Sequence, residues 1–243
     1  MLFLHGIGGN RRNWDRQVVA FSARYRAAAW DARGYGDSDD YPGALDFADF
    51  GRDLERVLDH LAVDRAHLVG LSMGGRIARD FALQLPHRVA SLTLANSSPG
   101  YDALSPEEVQ AYVAARRAPL LAGKTPRDIA PERARQLISS RPAPGVYEEL
   151  VESLAALRKD SYLKSIEASV TQDRAAPIER IAVPTLVITS DEDRLYTPVL
   201  ARAMAQRIPG AELVEIQGAG HLSNIEQPAR FNEAVLGFLA RHA

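Results

Sequence analysis

Short apolar runs alternate with longer amphipathic stretches along most of the chain. The runs 2–4, 27–30, 67–69, 91–95, 185–189 and 212–216 read as strands. They are largely continuous in apolar character rather than alternating, as expected of strands covered on both faces of a parallel sheet. Between them, Phe47, Phe50, Leu54, Val57, Leu58 and Leu61 recur at spacings of three and four, with Asp53, Glu55 and Arg56 among them. That spacing predicts an amphipathic helix. Phe231, Ala234, Val235, Phe238 and Leu239 form a second such stripe near the C-terminus. Strands alternating with helices predict an α/β sheet with right-handed crossovers.

The rhythm breaks between about Tyr101 and Ala176. Strand-like runs vanish there, and helical segments are punctuated by Pro119, Pro126, Pro131, Pro142 and Pro144. Val146, Leu150, Val151, Leu154 and Leu157 share one side of a helix predicted over 146–159. The stretch reads as a helical insert, 101–176, between two parts of a core, 1–100 and 177–243. The competing reading is that it simply continues the core.

Composition narrows the chemistry. The chain has 243 residues, of which 46% are hydrophobic and 25% charged, which suits one large domain or a core with an insert. Acidic residues number 31 against 29 basic ones. Without a basic excess, neither nucleic acid nor an anionic membrane is expected as a partner. The absence of cysteine excludes a disulfide scaffold, a thiol nucleophile, a zinc–thiolate site and an iron–sulfur cluster. The opening run from Met1 to Leu4 is too short for a signal peptide, and no stretch approaches the ~18 apolar residues of a membrane span. A cytoplasmic protein is expected. Arginine far outnumbers lysine, which points weakly to a GC-rich bacterial genome.

Three motifs stand at strand ends. Gly70-Leu71-Ser72-Met73-Gly74 follows an apolar run and leads into a helical stretch, 76–85. A serine on so tight a strand-to-helix turn has its hydroxyl pushed out above the sheet, and glycines on both sides let the backbones approach. The Met73 amide then points from a helix N-terminus toward the same spot, ready to stabilise an oxyanion. His5-Gly6-Ile7-Gly8-Gly9 follows the first strand, and its Ile7 amide is the candidate second donor. His5 itself is expected to be a hydrogen-bonded loop residue. The better base is His221, on the flexible Gly218-Ala219-Gly220 turn, because a neutral imidazole can take a serine proton near pH 7. An acid must orient it. Asp191, Glu192 and Asp193 all close the 185–189 run, and the residues alone do not choose among them.

Together these motifs resemble the α/β-hydrolase fold enzymes. The likeness runs through nearly the whole chain and includes Asp31-Ala32-Arg33-Gly34-Tyr35-Gly36-Asp37-Ser38 after the second strand. It implies a mostly parallel sheet with flanking helices, a helical cap at 101–176, and a triad of Ser72, Asp193 and His221 with the amides of Ile7 and Met73 as oxyanion donors. The family's acid stands three residues after a small residue that ends its strand, here Ser190; counting back from Ile208-Pro209-Gly210 selects Asp193 as well. Arg33 is expected in a structural ion pair rather than on substrate. No metal or organic cofactor is required. Gly70 to Gly75 resembles the elbow of 3-oxoadipate enol-lactonases and small esterases. The cap is the family's most variable part, so substrate does not carry over. Its nearly balanced charges and helically spaced apolar residues set the expectation of a small, mostly apolar ester or lactone. An enol-lactonase, a carbon–carbon bond hydrolase, a perhydrolase and a non-enzymatic small-molecule receptor are the alternatives. Cap apolar residues such as Val109, Tyr112, Val113, Leu120 and Leu121 could line the pocket. The family usually has a further hairpin before the first strand seen here. Its apparent absence predicts that 27–30 is a sheet edge, open to self-association.

Overall fold

Six strands, β1 (Leu2–Leu4), β2 (Ala28–Ala29), β3 (Ala66–Leu71), β4 (Val89–Ala95), β5 (Thr185–Ser190) and β6 (Glu212–Ile216), pair in the order β2-β1-β3-β4-β5-β6. Every pairing is parallel. They belong to a computed structural model that describes residues 1–100, 105–172 and 177–242. Each strand falls on one of the six apolar runs. β2 is the shortest and stands at one edge, where only Leu2 with Ala28 and Phe3 with Ala29 are in register. So short an edge exposes few unpaired backbone groups.

Side chains leave successive strand positions on opposite faces, and the two faces have separate cores. Leu2 and Leu4 of β1 join the layer with α2 (Ala48–His60) and α3 (Met73–Gln84), where Phe50, Leu54, Leu58, Ile77 and Phe81 are buried. Phe3 points the other way, against Trp14, Phe21 of α1 (Asp15–Ser22) and Phe231, Val235 and Phe238 of the C-terminal helix over 228–242. With helices on both faces, the strands have little use for polar residues. That is why they read as continuous apolar runs.

Residues 105–172 contain four helices and, among the described residues, no strand. They are α4 (Pro106–Leu121), α5 (Pro126–Leu137), α6 (Val146–Ala155) and α7 (Lys159–Thr171). Both ends of the insert expected from the sequence, 101 and 176, lie outside the described residues, as does residue 243. Capping boxes start two of these helices: Ser105 with Glu108, and Thr125 with Asp128, each pair satisfying backbone N–H groups that would otherwise lack partners. α4 and α7 enclose one apolar cluster, including Val113, Leu120 and Ile166, while α5 and α6 enclose another. The helix expected over 146–159 is in fact two. Arg158 is extended (φ −79°, ψ 117°), and its guanidinium donates to the carbonyl oxygens of Gly34 and Ser38 in the core. The chain bends there to dock the insert on the sheet. Lys164 Nζ donating to Tyr41 O, and a paired Arg16 and Glu149, add further anchors. No described helix is long and apolar enough to cross a membrane.

The remaining helices are α8 (Pro198–Arg207), α9 (Ser223–Glu226) and α10 (Pro228–His242). The C-terminal ends of β1, β3, β4 and β5 all open on the side where the helical insert lies. In open α/β sheets ligands bind at these ends.

Candidate active site

β3 ends at Leu71 and α3 begins at Met73, leaving Ser72 alone in the turn at φ 55°, ψ −118°. L side chains seldom adopt that conformation, so the surrounding structure must hold it. The glycines explain how. A Cβ on Gly70 would lie 2.3 Å from the Gly74 carbonyl oxygen, and one on Gly74 only 2.2 Å from that of Leu4. Nothing larger than glycine fits this crossing of β1, β3 and α3. The turn presents the Ser72 side chain to a cavity of about 320 Å³ beneath the helical insert. Among the described residues, Ser72 Oγ has no hydrogen-bond partner.

The turn after β1 closes on the same point, since a Cβ on Gly6 would stand 3.0 Å from Ser72 Cβ. Ile7 lines the cavity with Ser72. Met73 opens α3, where the first amides have no intrahelical acceptor. Neither the Ile7 nor the Met73 amide donates to another described protein group.

His221 enters the cavity from the turn after β6. Its Nδ1 donates to Asp193 Oδ2 at 3.0 Å. Asp193 is buried, and its carboxylate receives three further hydrogen bonds: to Oδ1 from the amides of Leu195 (2.9 Å) and Tyr196 (3.0 Å), and to Oδ2 from Asn96 Nδ2 (3.0 Å). Burial alone would raise its pKa. The charge and hydrogen bond of His221, with the Tyr196 and Asn96 bonds, outweigh it and hold the carboxyl below its ordinary value. The neighbouring acids face elsewhere. Asp191 Oδ1 accepts from the amides of Gly218 and Ala219, and Glu192 Oε2 from that of Ser140. Of the three candidate acids, only Asp193 reaches the imidazole.

Asn96 was not legible as a site residue. It follows β4 at φ 44°, a region asparagine tolerates better than most residues, and bridges Asp193, Ser190 Oγ and Ser223 Oγ. Its place at a strand's C-terminal end was the available signal.

His5 and Arg33 take structural places, as the sequence suggested. His5 is buried, Nδ1 donating to Gly6 O (2.9 Å) and Nε2 accepting from Ala32 N (3.1 Å), which defines a neutral ring. Burial pushes its pKa down from 6.5, against smaller upward effects of Gly6 and Asp31, and burial likewise lowers that of half-buried His67. The unfolded chain therefore binds more protons just below pH 6.5 than the folded one. Stability should fall as pH drops from 6.5 toward about 5, before carboxylates protonate. Melting temperatures across that range check this, and a flat profile would contradict it. Arg33 makes a bidentate pair with Asp53 of α2 and a second ion pair with Asp49.

The cavity wall is mostly apolar, but few of its apolar residues are the cap residues that the sequence suggested. Of the cap's apolar candidates Tyr112 lines it, but Val113 and Leu120 pack inside the insert and Leu121 is exposed. Arg76, Arg116, Arg133 and Arg194 all line the cavity, and no described lining residue is acidic. Arg133 Nη1 donates to Gln136 Oε1, but Arg133 forms no ion pair with a described carboxylate. Burial first, and the like charge of Arg116 next, lower its pKa. No cluster of His, Asp and Glu among the described residues could hold a metal ion.

A family model described as the alpha/beta hydrolase fold matches residues 1–228. The chain belongs to this family. The hydrolase is 30% identical over 244 residues to 3-oxoadipate enol-lactonase 2 of Acinetobacter baylyi, covering 99% of this chain and 88% of that one. It is 32% identical over 260 residues to the 2-hydroxy-6-oxononadienedioate/2-hydroxy-6-oxononatrienedioate hydrolase of Burkholderia vietnamiensis, covering 99% of this chain and 87% of the relative. Among solved structures, it superposes on a thermophilic esterase from Thermogutta terrifontis with malate bound, with a TM-score of 0.90 at 29% identity, covering 100% of this chain and 90% of that one.

Proposed function

We propose that this hydrolase cleaves carboxylic esters or lactones of small molecules through Ser72, His221 and Asp193. The observation that carries the reading is an unbonded serine hydroxyl in the same cavity as an imidazole whose Nδ1 is held by a buried carboxylate. Ser72 Oγ attacks the substrate carbonyl and passes its proton to His221 Nε2. The Asp193 carboxylate stabilises the imidazolium that forms, while the amides of Ile7 and Met73 receive the developing oxyanion. His221 returns the proton to the leaving alkoxide. It then draws a proton from water as the water attacks the acyl-serine, and hands that proton to the departing Ser72 Oγ as the acid is freed.

The arginines favour one branch of this reading, a substrate that itself carries a carboxylate. A guanidinium half-buried without an anionic partner, beside another of like charge, gains from an incoming anion. The relatives point the same way: two are named for dicarboxylates, 3-oxoadipate and a nonadienedioate, and the esterase binds malate. An anionic enol-lactone is thus favoured over the mostly apolar substrate expected from the sequence.

Kinetics on paired lactones or esters, one of each pair carrying a free carboxylate, test both points. The anionic partner is expected to be preferred. Arg133→Gln should raise its KM roughly tenfold, about the worth of one charge-assisted contact, and leave the neutral partner nearly unchanged. Equal effects on both would remove the anion site. Binding without turnover of any ester or lactone would favour a receptor.

A further inference from the structure

We propose that Glu226 is a positioning residue for His221, acting by clamping the turn that carries the imidazole to the α5–α6 connection of the helical insert. This rests on the reading of His221 as the base.

Glu226 lies five residues beyond His221, and the short α9 folds it back behind the turn. Its side chain is buried, at 5% exposure, and no lysine or arginine among the described residues pairs with it. A buried carboxylate without a cation is costly unless hydrogen bonds replace its water. Two backbone amides do so here. Gly220 N donates to Oε1 at 2.7 Å and Ser139 N to Oε2 at 2.9 Å. One amide adjoins the base in sequence, and the other belongs to the insert.

The surrounding contacts give these bonds their consequence. Ser190 Oγ donates to the Gly220 carbonyl oxygen at 2.6 Å, and the His221 amide donates to Leu137 O at 2.7 Å. With Glu226 on Gly220 N, both N–H groups and the carbonyl leading into His221 are held. A Cβ on Gly220 would meet Ile138 C at 2.6 Å and Leu137 O and Ser139 N at 2.7 Å, so the insert's backbone lies directly against the turn. That backbone continues from the end of α5, which carries Arg133, Gln136 and Leu137 into the cavity wall. The wall that touches substrate and the turn that aims the base are thereby one connected unit. Among the described residues, Glu226 is the side chain that accepts from both of them.

A base displaced by a fraction of an ångström slows acylation and deacylation alike, because His221 serves both, while substrate binding is left largely intact. Glu226→Gln keeps the shape but presents an amide N–H₂ where a backbone N–H needs an acceptor. Its kcat, and the rate of Ser72 phosphonylation by a fluorophosphonate, are expected to fall on the order of 10–100-fold, with KM changed little. Glu226→Asp retains the charge on a shorter reach and should fall between Gln and wild type. Glu149→Gln breaks a remote contact between insert and core and should match wild type. All are measured below the melting midpoint of each variant.

A folded Glu226→Gln that phosphonylates at the wild-type rate would overturn the proposal. So would a loss confined to KM, which would mark a displaced pocket wall. If Glu226→Gln does not fold, Glu226→Asp decides: a several-fold slower label supports the clamp, and a wild-type rate overturns it. Failure of the wild-type protein to label at Ser72 would instead strike the reading of the triad.

Discussion

Ser72→Ala is expected to cost roughly 10⁴–10⁶-fold in kcat, leaving only what substrate binding and the two backbone amides contribute. The loss should come without unfolding. The Ser72 hydroxyl makes no hydrogen bond to a described group, so its removal orphans no buried partner. The positive φ of 55° strains alanine and serine alike, and the glycine crossing beneath them is untouched. The melting midpoint should therefore stay within a few degrees of wild type. Ester turnover and fluorophosphonate labelling, each beside a melting curve, measure both halves of the expectation. A folded alanine variant retaining more than a few per cent of activity would place the nucleophile elsewhere.

The second large effect is expected at Asp193→Asn, about 10⁴-fold in kcat/KM. Every described hydrogen-bond partner of this carboxylate is a donor: the Leu195 and Tyr196 amides at Oδ1, and Asn96 Nδ2 and His221 Nδ1 at Oδ2. An asparagine must turn its own N–H₂ toward one of these pairs. Toward His221 it forces the imidazole into the tautomer that cannot accept the serine proton. Toward Leu195 and Tyr196 it leaves buried amides unpaired and costs stability. Either orientation also removes the charge that stabilises the imidazolium. Asp191→Asn is the natural comparison. Both of its bonds go to Oδ1, which an amide oxygen can replace, so its loss should be within about tenfold. Steady-state kinetics of the two variants decide the assignment, and an equal collapse at Asp191 would refute it.

Much of this was already written in the order of residues. The six strands, the helix carrying Phe50, Leu54 and Leu58, and the glycine-flanked Ser72 depend on local rules: apolar runs, three-and-four spacing, and the steric need for glycine at a crossing. Such features survive in a linear reading because the interactions that produce them are short in range. The strand-free helical character of residues 105–172 was legible for the same reason. The break between α6 and α7 was not. Beyond the end of α6, Arg158 turns extended and donates to carbonyl oxygens more than a hundred residues away, at Gly34 and Ser38.

The choice among Asp191, Glu192 and Asp193 shows the division within one loop. Three adjacent acids are equivalent by composition, and only likeness to a family singled out Asp193. The fold separates them physically, aiming Asp193 at the imidazole, Asp191 at the turn 218–219 and Glu192 at Ser140. The arginines divide in the same way. The insert's many cations look alike along the chain, because the helical face each one occupies is set by packing against the core. Tertiary structure brings Arg116 and Arg133 to the cavity alongside Arg76 and Arg194, with no acid among its described lining residues. By itself the sequence determined the sheet, the helical stretch between β4 and β5, and the residue types that meet at the candidate site. Which donors surround the acid, which amide Glu226 holds and what charge the pocket presents were decided only by tertiary structure, since each depends on groups from distant segments meeting within hydrogen-bond or Coulomb range.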